Sequence, residues 1–476
     1  MSKFYITNAI PYVNAKPHIG HALEFIQSDA IARYHCLRGD DVKFLCGGDE
    51  NALKIVQAAQ KAEKEVQKFI DENSQSFYDL SKKLDITFDV WQKGSDAKHH
   101  SSSQKLWQLC SAEGDIYKKQ YEGLYCVGCE LFYEKEELNK EGECFEHPGK
   151  KLDVVEEENY FFKLSKYQNQ LIELISSDTL QIIPSFRKNE VLSFLKNPLV
   201  DISISRSNKR AKDWGVPIPS DSSQKMYVWF DALNIYQSGI GFGSPEATDI
   251  ESYKKWWPAD VQVIGKGIVR FHAIYWPAFL LSAKLSLPKK LFVHEYITVN
   301  GQKMSKTLGN VIDPTVLIEK YGVDALRYYC LAKISPFSDG DFSEEKLKEA
   351  YNSDLANGLG NLAARVAKLC ENNNVETTTG SNVWCADLET YMREFKFNEA
   401  LAVIWQLITQ ADKKINQEKP WTMSGEKLKE VLTDYVKRIQ AIGFNLQPFL
   451  PKTAEKILTQ FSGEIKSTTT NLFPRL

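Results

Sequence analysis

The hydrophobic and polar positions near the amino terminus alternate between short apolar runs and longer amphipathic stretches. Phe4–Ile10 is short, apolar and β-branched, and a loop with prolines and an asparagine follows it. The amphipathic run over residues 20–37 predicts a helix, Val42–Cys46 predicts a second strand, and residues 52–68 predict a second helix. Strands that alternate with helices indicate a doubly wound parallel sheet, in which ligands bind at the carboxyl ends of the strands.

A second pair of strand-like runs lies far along the chain. Val261–Ile264 and Leu291–Ile297 are similar in character to the first two, and a helical pattern over residues 268–284 separates them. We therefore interpret residues 1–115 and 215–335 as the two halves of one split Rossmann-like α/β domain with a connecting stem.

The other residues predict two further regions. Residues 116–214 contain clustered cysteine, glycine and acidic residues, and we interpret them as an insertion between the two halves. Strand signals fade after Pro336, and helical patterns with Leu, Ala and aromatic anchors indicate an all-α helical bundle over residues 336–476.

Composition and charge narrow the class of protein. The 476 residues include 59 Lys and Arg and 62 Asp and Glu, which gives a net charge of -3. The net charge therefore does not indicate a nucleic-acid partner, although a local basic face could still bind one. Nine cysteines, an odd number in a long chain, favour a reducing compartment. No signal peptide is visible, and the longest apolar stretch, around Ile274–Leu281, is too short to span a bilayer. We expect a soluble, cytoplasmic protein.

A histidine-rich segment, Pro17-His18-Ile19-Gly20-His21-Ala22, lies between the first predicted strand and the first predicted helix. Two imidazoles that flank a glycine at a helix amino terminus suit a phosphate site. The backbone amides and the helix dipole favour the anion there, and the imidazoles add donors. Two ordinary surface histidines are an equally good interpretation of so short a segment.

A lysine-rich loop over residues 300–310 follows the run at Leu291–Ile297 directly. Lys303 and Lys306 can clamp a polyphosphate and neutralise the charge that develops on a leaving group. Alone, such a loop is usually only a solvated surface. Together with the histidine-rich segment, in this order and far apart in a split α/β domain, it resembles the two signatures of class I aminoacyl-tRNA synthetases.

Within that class the chain is similar to the methionyl-tRNA synthetase family, from Lys3 to Leu476. Ala9-Ile10-Pro11-Tyr12, Tyr227–Leu233 and Gly265–His272 resemble three further segments of that family. The resemblance implies catalytic roles for His18, His21, Lys303 and Lys306. It implies ATP contacts at His18, Gly20, His21, Lys303, Ser305 and Lys306. It implies a methionine site at Ile10, Tyr12, Asp49, Trp229, Leu233, Tyr236, Ile268 and His272.

The chemistry of these residues agrees with a methionine site. A thioether is soft and polarisable, favours aromatic edges, and is a weak acceptor that the Tyr12 hydroxyl or His272 can address. Asp49, at the carboxyl end of a predicted strand, can pair with the ammonium of the substrate. For Trp229 taken alone, plain core packing is the better interpretation.

Three segments depart from the family pattern. The family usually continues its aspartate segment as Asp-Glu-His-Gly, whereas this chain has Asp49-Glu50-Asn51-Ala52. Gly267 replaces a carboxylate that the resemblance places at the ribose of the nucleotide. Thr307 replaces a serine and keeps the hydroxyl.

The insertion contains a metal-binding pattern. Cys126-Val127-Gly128-Cys129 and Cys144-Phe145-Glu146-His147 are separated by fourteen residues, a spacing that supplies four ligands to one tetrahedral Zn²⁺. Because both knuckles lie outside the two signature segments, we expect one structural zinc held by Cys126, Cys129, Cys144 and His147. A redox Cys-x-x-Cys and unrelated buried cysteines are the alternatives.

Four residues of the helical region are the anticodon-binding residues that the resemblance implies. Asn361 and Arg365 are four positions apart and so share a helix face, and Pro420-Trp421 is predicted to start a later helix. Polar groups suit base edges, and an indole suits an unstacked base. Without the resemblance, a buried Trp421 and a solvated Arg365 are the simpler interpretation.

The sequence thus predicts a methionine–tRNA ligase that uses ATP with Mg²⁺ and acts as a monomer on tRNA(Met), including the initiator. It would form methionyl-adenylate and pyrophosphate, and then transfer methionine to the 3′ end of the tRNA. One alternative is a class I synthetase for cysteine, leucine, isoleucine or valine. The absence of a large editing insertion disfavours the last three, and Tyr12, Trp229 and His272 disfavour cysteine. The other is a tRNA-binding paralogue that no longer catalyses, which the intact signature residues disfavour.

Overall fold

The computed structural model describes residues 2–133, 135–146, 149–304, 309–377, 383–468 and 471–476. Its β-strands are, in chain order, β1 (Lys3–Asn8), β2 (Asp41–Gly48), β3 (Val90–Lys93), β4 (Ile116–Cys126), β5 (Leu131–Tyr133), β6 (Asp153–Phe162), β7 (Gln181–Ile183), β8 (Ile202–Ser203), β9 (Ser205–Ser207), β10 (Pro217–Ile218), β11 (Asp221–Met226), β12 (Val261–Gly265), β13 (Lys290–His294), β14 (Ile297–Val299), β15 (Gln302–Lys303), β16 (Gly340–Phe342), β17 (Glu376–Thr377) and β18 (Gly463–Glu464). Its α-helices are, in chain order, α1 (Ile19–Leu37), α2 (Leu53–Lys61), α3 (Val66–Lys83), α4 (Ala97–Ala112), α5 (Gln168–Ser176), α6 (Ser185–Phe194), α7 (Asn208–Ala211), α8 (Val228–Ala232), α9 (Ile235–Ser238), α10 (Ala247–Trp256), α11 (Trp276–Ser282), α12 (Pro314–Tyr321), α13 (Val323–Tyr328), α14 (Glu344–Ala350), α15 (Asn361–Asn372), α16 (Ala386–Arg393), α17 (Phe397–Glu418), α18 (Gly425–Leu446) and α19 (Pro451–Gln460).

The chain divides into two compact units, each built from segments that are distant in sequence. The first unit comprises the chain up to Pro17, Asp40–Asp79 and Phe88–His294. The second comprises His18–Gly39, Leu80–Thr87 and Glu295–Leu476. The domain limits predicted from the sequence pattern stay a prediction.

A six-stranded parallel sheet forms the core of the first unit, in the order β3-β2-β1-β12-β13-β7. The central strands β1 and β12 are buried along almost their whole length, as the strands of parallel sheets usually are. Strands from both predicted halves take part, so the split Rossmann-like α/β fold predicted from the sequence is confirmed.

β7 is a strand of this sheet that the sequence pattern does not indicate. It lies inside the region 116–214 and pairs in parallel with β13 at the sheet edge. Three residues are too short a run to predict a strand without the neighbouring sheet. Elsewhere in the same region an antiparallel sheet forms in the order β5-β4-β6-β8, with β4 and β6 paired from Ile116↔Phe162 to Tyr125↔Asp153.

The predicted helix over residues 52–68 is wrong as a single helix. α2 ends at Lys61, and the backbone of Glu63 is left-handed, with φ of 53°. A left-handed residue cannot continue an α-helix, so α3 begins only at Val66.

The predicted strand Leu291–Ile297 is also wrong as a single strand. β13 ends at His294, and β14 begins at Ile297 in a different sheet, where it pairs in parallel with β16. The helix predicted over residues 268–284 starts less regularly than its pattern indicates, because a π-helical turn at Phe271–Tyr275 precedes α11.

The second unit is mainly helical. It contains α1, the helices from α12 to α19, and a small sheet in the order β15-β14-β16. This agrees with the helical carboxyl-terminal region that the sequence predicts. None of the helices in the described residues combines the length and apolar character that a bilayer span needs.

Candidate active site

An aromatic cluster in the first unit, formed by Tyr12, Trp229, Phe271 and His272, contains three of the predicted methionine-binding residues. The indole of Trp229 stacks on Phe271, with 3.7 Å between ring centroids and 6° between ring planes. Tyr12 and His272 meet the indole in edge-to-face geometry at 6.2 and 6.3 Å. Such contacts fix the ring orientations and offer a polarisable surface to a thioether.

The Tyr12 side chain presents an unused donor. Its hydroxyl oxygen is buried and has no hydrogen-bond partner within the described residues. A buried donor without an acceptor is destabilising by about 1–3 kcal/mol. A ligand that brings a weak acceptor, such as a thioether sulfur, would satisfy it.

Hydrogen bonds at both ring nitrogens fix the tautomer of His272. Nδ1 lies 3.0 Å from the carbonyl oxygen of Ile268, which can only accept, so Nδ1 carries the proton. Nε2 then accepts from the Tyr236 hydroxyl at 2.8 Å. Burial lowers the pKa of His272 to about 4, and the imidazole is therefore neutral at neutral pH. Because both nitrogens are engaged, His272 has no ring proton left to donate to a ligand, whereas the Tyr12 hydroxyl has one.

Asp49 follows β2 directly and forms a parallel bridge with Tyr12. Its amide donates to the carbonyl of Pro11 at 2.9 Å, and only 3% of the residue is exposed. Burial raises the pKa of the Asp49 carboxyl well above its usual range, the charge of Asp231 raises it further, and the charge of Lys54 lowers it. The Asp49 carboxylate is thus poorly solvated, and an ammonium ligand would stabilise its charged form.

The remaining predicted methionine-binding residues have different environments. Tyr236 is buried in α9, and its carbonyl accepts from the Tyr5 hydroxyl at 2.6 Å. Leu233 is buried after α8, whereas Ile10 and Ile268 are partly exposed. The structure therefore brings Tyr12, Asp49, Trp229, Tyr236, Ile268 and His272 together by direct contacts or a shared backbone bridge.

The histidine-rich segment begins α1 in the second unit, and its side chains form the helix cap. His18 Nδ1 accepts from the Gly20 amide at 3.1 Å, and His21 Nδ1 accepts from the His18 amide at 3.1 Å. The two rings stack with centroids 3.9 Å apart. Burial, and then the neighbouring His18, lower the pKa of His21 well below its usual range. The neutral imidazoles carry their protons on Nε2, the tautomer that can donate to a phosphate oxygen.

The lysine-rich loop approaches the same helix start. A Cβ atom added at Gly20 would lie 3.4 Å from Cε of Met304 and 3.0 Å from Cε1 of His18, so glycine permits this close packing. Lys303 is exposed and pairs with Thr298 across β14 and β15. Ser305, Lys306 and Thr307 lie outside the described residues.

Three of the four predicted zinc ligands converge in the first unit. The sulfur atoms of Cys126, Cys129 and Cys144 all lie within 4.8 Å of one another, with Cys144 Sγ at 3.3 Å from Cys126 and 3.8 Å from Cys129. A tetrahedral zinc with Zn–S bonds of about 2.3 Å requires sulfur–sulfur distances of about 3.8 Å. The Cys129–Cys144 distance matches this value, and the Cys126–Cys144 distance of 3.3 Å is shorter than it. The fourth predicted ligand, His147, lies outside the described residues.

The predicted anticodon-binding residues form a small cluster in the second unit. The Arg365 guanidinium lies 5.8 Å from the Trp421 ring centroid and donates to Asp412 and Asn416. Trp421 is 52% exposed, and Asn361, one turn before Arg365 on α15, is also exposed. Pro420 is buried and begins a 3₁₀ helix, Pro420–Thr422. The helix predicted to start at Pro420-Trp421 is therefore this single short turn, and the long helix α18 begins only at Gly425.

Comparison with known proteins decides the family. The family model for class I tRNA synthetases (M) matches residues 4–367. The methionine–tRNA ligase of Thermotoga maritima is 42% identical to this chain over an alignment of 484 positions, which covers 98% of this chain and 76% of the relative. The chain belongs to the class I methionyl-tRNA synthetases.

Further similarities agree with this family. The methionine–tRNA ligase of Brucella suis is 40% identical over an alignment of 477 positions, which covers 96% of this chain and 91% of the relative. The structure of Mycobacterium tuberculosis methionyl-tRNA synthetase in complex with methionyl-adenylate has a TM-score of 0.91 and 37% identity, and covers 100% of both chains. The chain is thus an enzyme with the methionine–tRNA ligase activity of its family, and a synthetase for another amino acid is not supported.

Two of the departures from the pattern of methionyl-tRNA synthetases now have a structural description. Asn51 Nδ2 donates to Gly94 O at 2.9 Å and to Asp231 Oδ2 at 2.7 Å, so Asn51 holds the carboxylate that also raises the pKa of Asp49. Ala52 is the buried N-cap position of α2. Gly267 is exposed in a 3₁₀ turn, where it offers no side chain to a ribose.

Phe271 is a residue of the cluster that the sequence analysis did not select. It lies inside the recognised segment Gly265–His272, next to His272, so that segment contained the signal. Lys54 was also missed, although its ammonium lies 2.9 Å from the ring centroid of Tyr12. A lysine in the first turn of an amphipathic helix gives no sequence signal of a buried contact.

Proposed function

We propose that this methionine–tRNA ligase binds methionine through Asp49 and the aromatic cluster, and that His18, His21, Lys303 and Lys306 act on ATP. The observation that supports this most is the pair Tyr12 and Asp49, whose backbones are bridged. Tyr12 has a buried hydroxyl without a partner in the described residues, and Asp49 has a buried carboxylate. Methionine is complementary to this pair, since its sulfur is a weak acceptor and its ammonium is a cation.

The chemical step follows from these assignments. The carboxylate oxygen of methionine attacks the α-phosphorus of ATP, an acyl–phosphate bond forms, and the bond to the β-phosphate breaks to release pyrophosphate. The Nε2 protons of His18 and His21 can donate to oxygens of the α-phosphate as their charge develops. Lys303 and Lys306 neutralise the charge of the departing pyrophosphate, and Mg²⁺ supplied with ATP would add to this neutralisation. A hydroxyl of the ribose at the 3′ end of the tRNA then attacks the carbonyl carbon of the adenylate, an ester bond forms, the acyl–phosphate bond breaks, and AMP leaves.

Amino-acid-dependent ATP–pyrophosphate exchange tests this proposal. We expect exchange with methionine and none above background with cysteine, leucine, isoleucine or valine. Exchange with one of the other amino acids would contradict the methionine site. The absence of exchange with every amino acid would favour a tRNA-binding paralogue without catalysis.

We propose that Cys126, Cys129, Cys144 and His147 hold one structural Zn²⁺. The three converging sulfurs and the knuckle spacing support this assignment. The ion would hold the two knuckles together. It would take no part in phosphate chemistry, because the step described above assigns the contacts with ATP to other residues.

Replacing Cys144 by alanine should remove the metal. Metal analysis is expected to give one zinc per wild-type chain and substantially less than one in Cys144→Ala, since structural sites need all four ligands. Cys36→Ala, at an exposed cysteine outside the cluster, is the matched control and should retain the zinc. No zinc, or two ions, in the wild-type chain would contradict the assignment.

We propose that Asn361, Arg365, Pro420 and Trp421 bind the anticodon of tRNA(Met), including the initiator. An exposed indole beside a guanidinium supports base stacking, which is worth about 1–3 kcal/mol per base. Buried Pro420 would hold the turn that presents Trp421.

Trp421→Ala should lower the kcat/KM of tRNA charging by about one to two orders of magnitude, because one stacked base is lost. Pyrophosphate exchange without tRNA should stay near wild type, since this first half-reaction needs no anticodon. Trp421→Phe keeps an aromatic surface and should retain most of the charging activity. Normal charging by Trp421→Ala, or a parallel loss of exchange, would remove Trp421 from the anticodon site.

We also propose that the enzyme works in the cytoplasm as a monomer. All nine cysteines lie in the described residues and none of them forms a disulfide bond, which supports a reducing compartment. Light scattering at the concentrations used for activity checks the monomer, which has a mass of 54.3 kDa.

A further inference from the structure

Three consecutive carbonyl groups, at the end of the first predicted zinc knuckle and directly after it, accept hydrogen bonds from side chains in or beside the aromatic cluster. They belong to Gly128, Cys129 and Glu130. Lys54 Nζ donates to Gly128 O at 3.1 Å. Trp229 Nε1 donates to Cys129 O at 3.5 Å, and the Tyr227 hydroxyl donates to Glu130 O. We call residues 126–130 the zinc turn. The methionine-binding indole and the zinc turn are therefore joined directly.

The zinc turn is held from its other side as well. Glu130 is fully buried with a left-handed backbone, φ 53°. Its carboxylate accepts from the Lys54 amide at 3.1 Å, from the Tyr125 hydroxyl, and from Arg206 at 3.4 Å. A buried carboxylate with this many partners is rigid, and the carbonyls that precede it are fixed in place.

Lys54, which is not itself a predicted substrate-binding residue, also contacts one of them, Tyr12. Its ammonium lies over the Tyr12 ring, 2.9 Å from the centroid, while the same ammonium bonds to Gly128 O. Taking a cation out of water is unfavourable unless specific partners compensate, and an apolar side chain could fill this volume without that penalty. The cation over the ring holds the phenol at a set distance from the turn.

We propose that Lys54 is a positioning residue of the methionine site, which fixes the Tyr12 ring against the zinc turn. This inference rests on the proposed function of Tyr12 and Asp49 as methionine-binding residues. Lys54 touches neither the reacting phosphates nor the transferred carboxylate in this assignment. Its effect should therefore appear in the affinity for methionine and not in the affinity for ATP.

The test uses three variants of the full chain. Lys54→Met keeps the length of the side chain and removes the cation, whereas Lys54→Arg keeps a cation and donors above the ring. Lys64→Met is the matched control, because Lys64 is exposed and its partner Glu72 is also exposed. For each variant, methionine binding is measured by tryptophan fluorescence, the two KM values by pyrophosphate exchange, and the zinc content by metal analysis.

We expect Lys54→Met to weaken methionine binding about tenfold, which corresponds to the loss of one desolvated cation–π contact. The KM for ATP and one bound zinc should be retained. Lys54→Arg should recover binding to within about threefold of wild type, and Lys64→Met should be unchanged.

Wild-type methionine affinity in Lys54→Met would overturn the inference alone. Loss of zinc or of the folded state in both Lys54 variants would also overturn it, because Lys54 would then support the turn itself and not the substrate site. A wild-type chain that does not bind methionine at all would contradict the proposed function, and this inference with it.

Discussion

Asp49→Ala should raise the KM for methionine by about one to two orders of magnitude. The carboxylate is buried, so no bulk water can replace it as the counter-charge of the substrate ammonium. A charge-assisted hydrogen bond of this kind is worth about 1.5–3 kcal/mol, and each 1.4 kcal/mol corresponds to about tenfold in affinity. Pyrophosphate exchange, with methionine and ATP varied separately, measures the effect.

The conservative variant Asp49→Asn separates charge from shape. It keeps the backbone bond to Pro11 O and the side-chain volume but removes the negative charge. We expect it to bind methionine almost as poorly as Asp49→Ala, with an unchanged KM for ATP. A near-normal methionine dependence in both variants would remove Asp49 from the site.

Arg327→Met should lower the free energy of unfolding by about 3–5 kcal/mol, because it removes one of the two cations paired with buried Asp29 and leaves carbonyl oxygens without a donor, while Arg33 stays paired with Asp29. Arg327 and Asp29 are both completely buried, and Nη2 of Arg327 lies 2.7 Å from Oδ2 of Asp29. The same guanidinium donates to the carbonyl oxygens of Leu84, Pro448 and Phe449 at 3.3, 3.1 and 2.7 Å. A methionine side chain at position 327 would leave all three carbonyl oxygens without this donor. Urea denaturation followed by circular dichroism measures the loss of stability.

The matched control is an exposed ion pair of the same unit. Arg393 lies 3.9 Å from Glu389, and 62% of the Arg393 side chain is exposed. Arg393→Met should change the free energy of unfolding by about 0–1 kcal/mol. Equal effects of the two substitutions would show that the Arg327 network contributes no more than a surface pair.

The sheet could be predicted because its central strands are apolar along their length, as β1 and β12 show. Short edge elements could not. The three residues of β7 become a strand only through pairing with β13, and a single apolar run at 291–297 is divided between β13 and β14. Pairing with strands that are distant in sequence decides where these strands begin and end, and such pairing leaves no pattern in the local sequence.

The candidate site shows the same limit. The spacing of Cys126, Cys129 and Cys144 predicted their convergence, because short knuckle spacings constrain the ligand geometry locally. The contact of Lys54 with Tyr12 joins residues that are 42 positions apart and depends on how α2 meets the loop after β1. The exposure of Trp421 likewise depends on the turn at Pro420, which the pattern assigned to a helix start.

The most direct test of the central claim is a crystal structure of this chain with methionine bound. We predict that the ammonium of methionine lies within hydrogen-bond distance of the Asp49 carboxylate. The sulfur should accept from the Tyr12 hydroxyl and lie against the edges of Trp229 and His272. Methionine bound away from Asp49, or with its side chain outside the aromatic cluster, would contradict the assignment of this site.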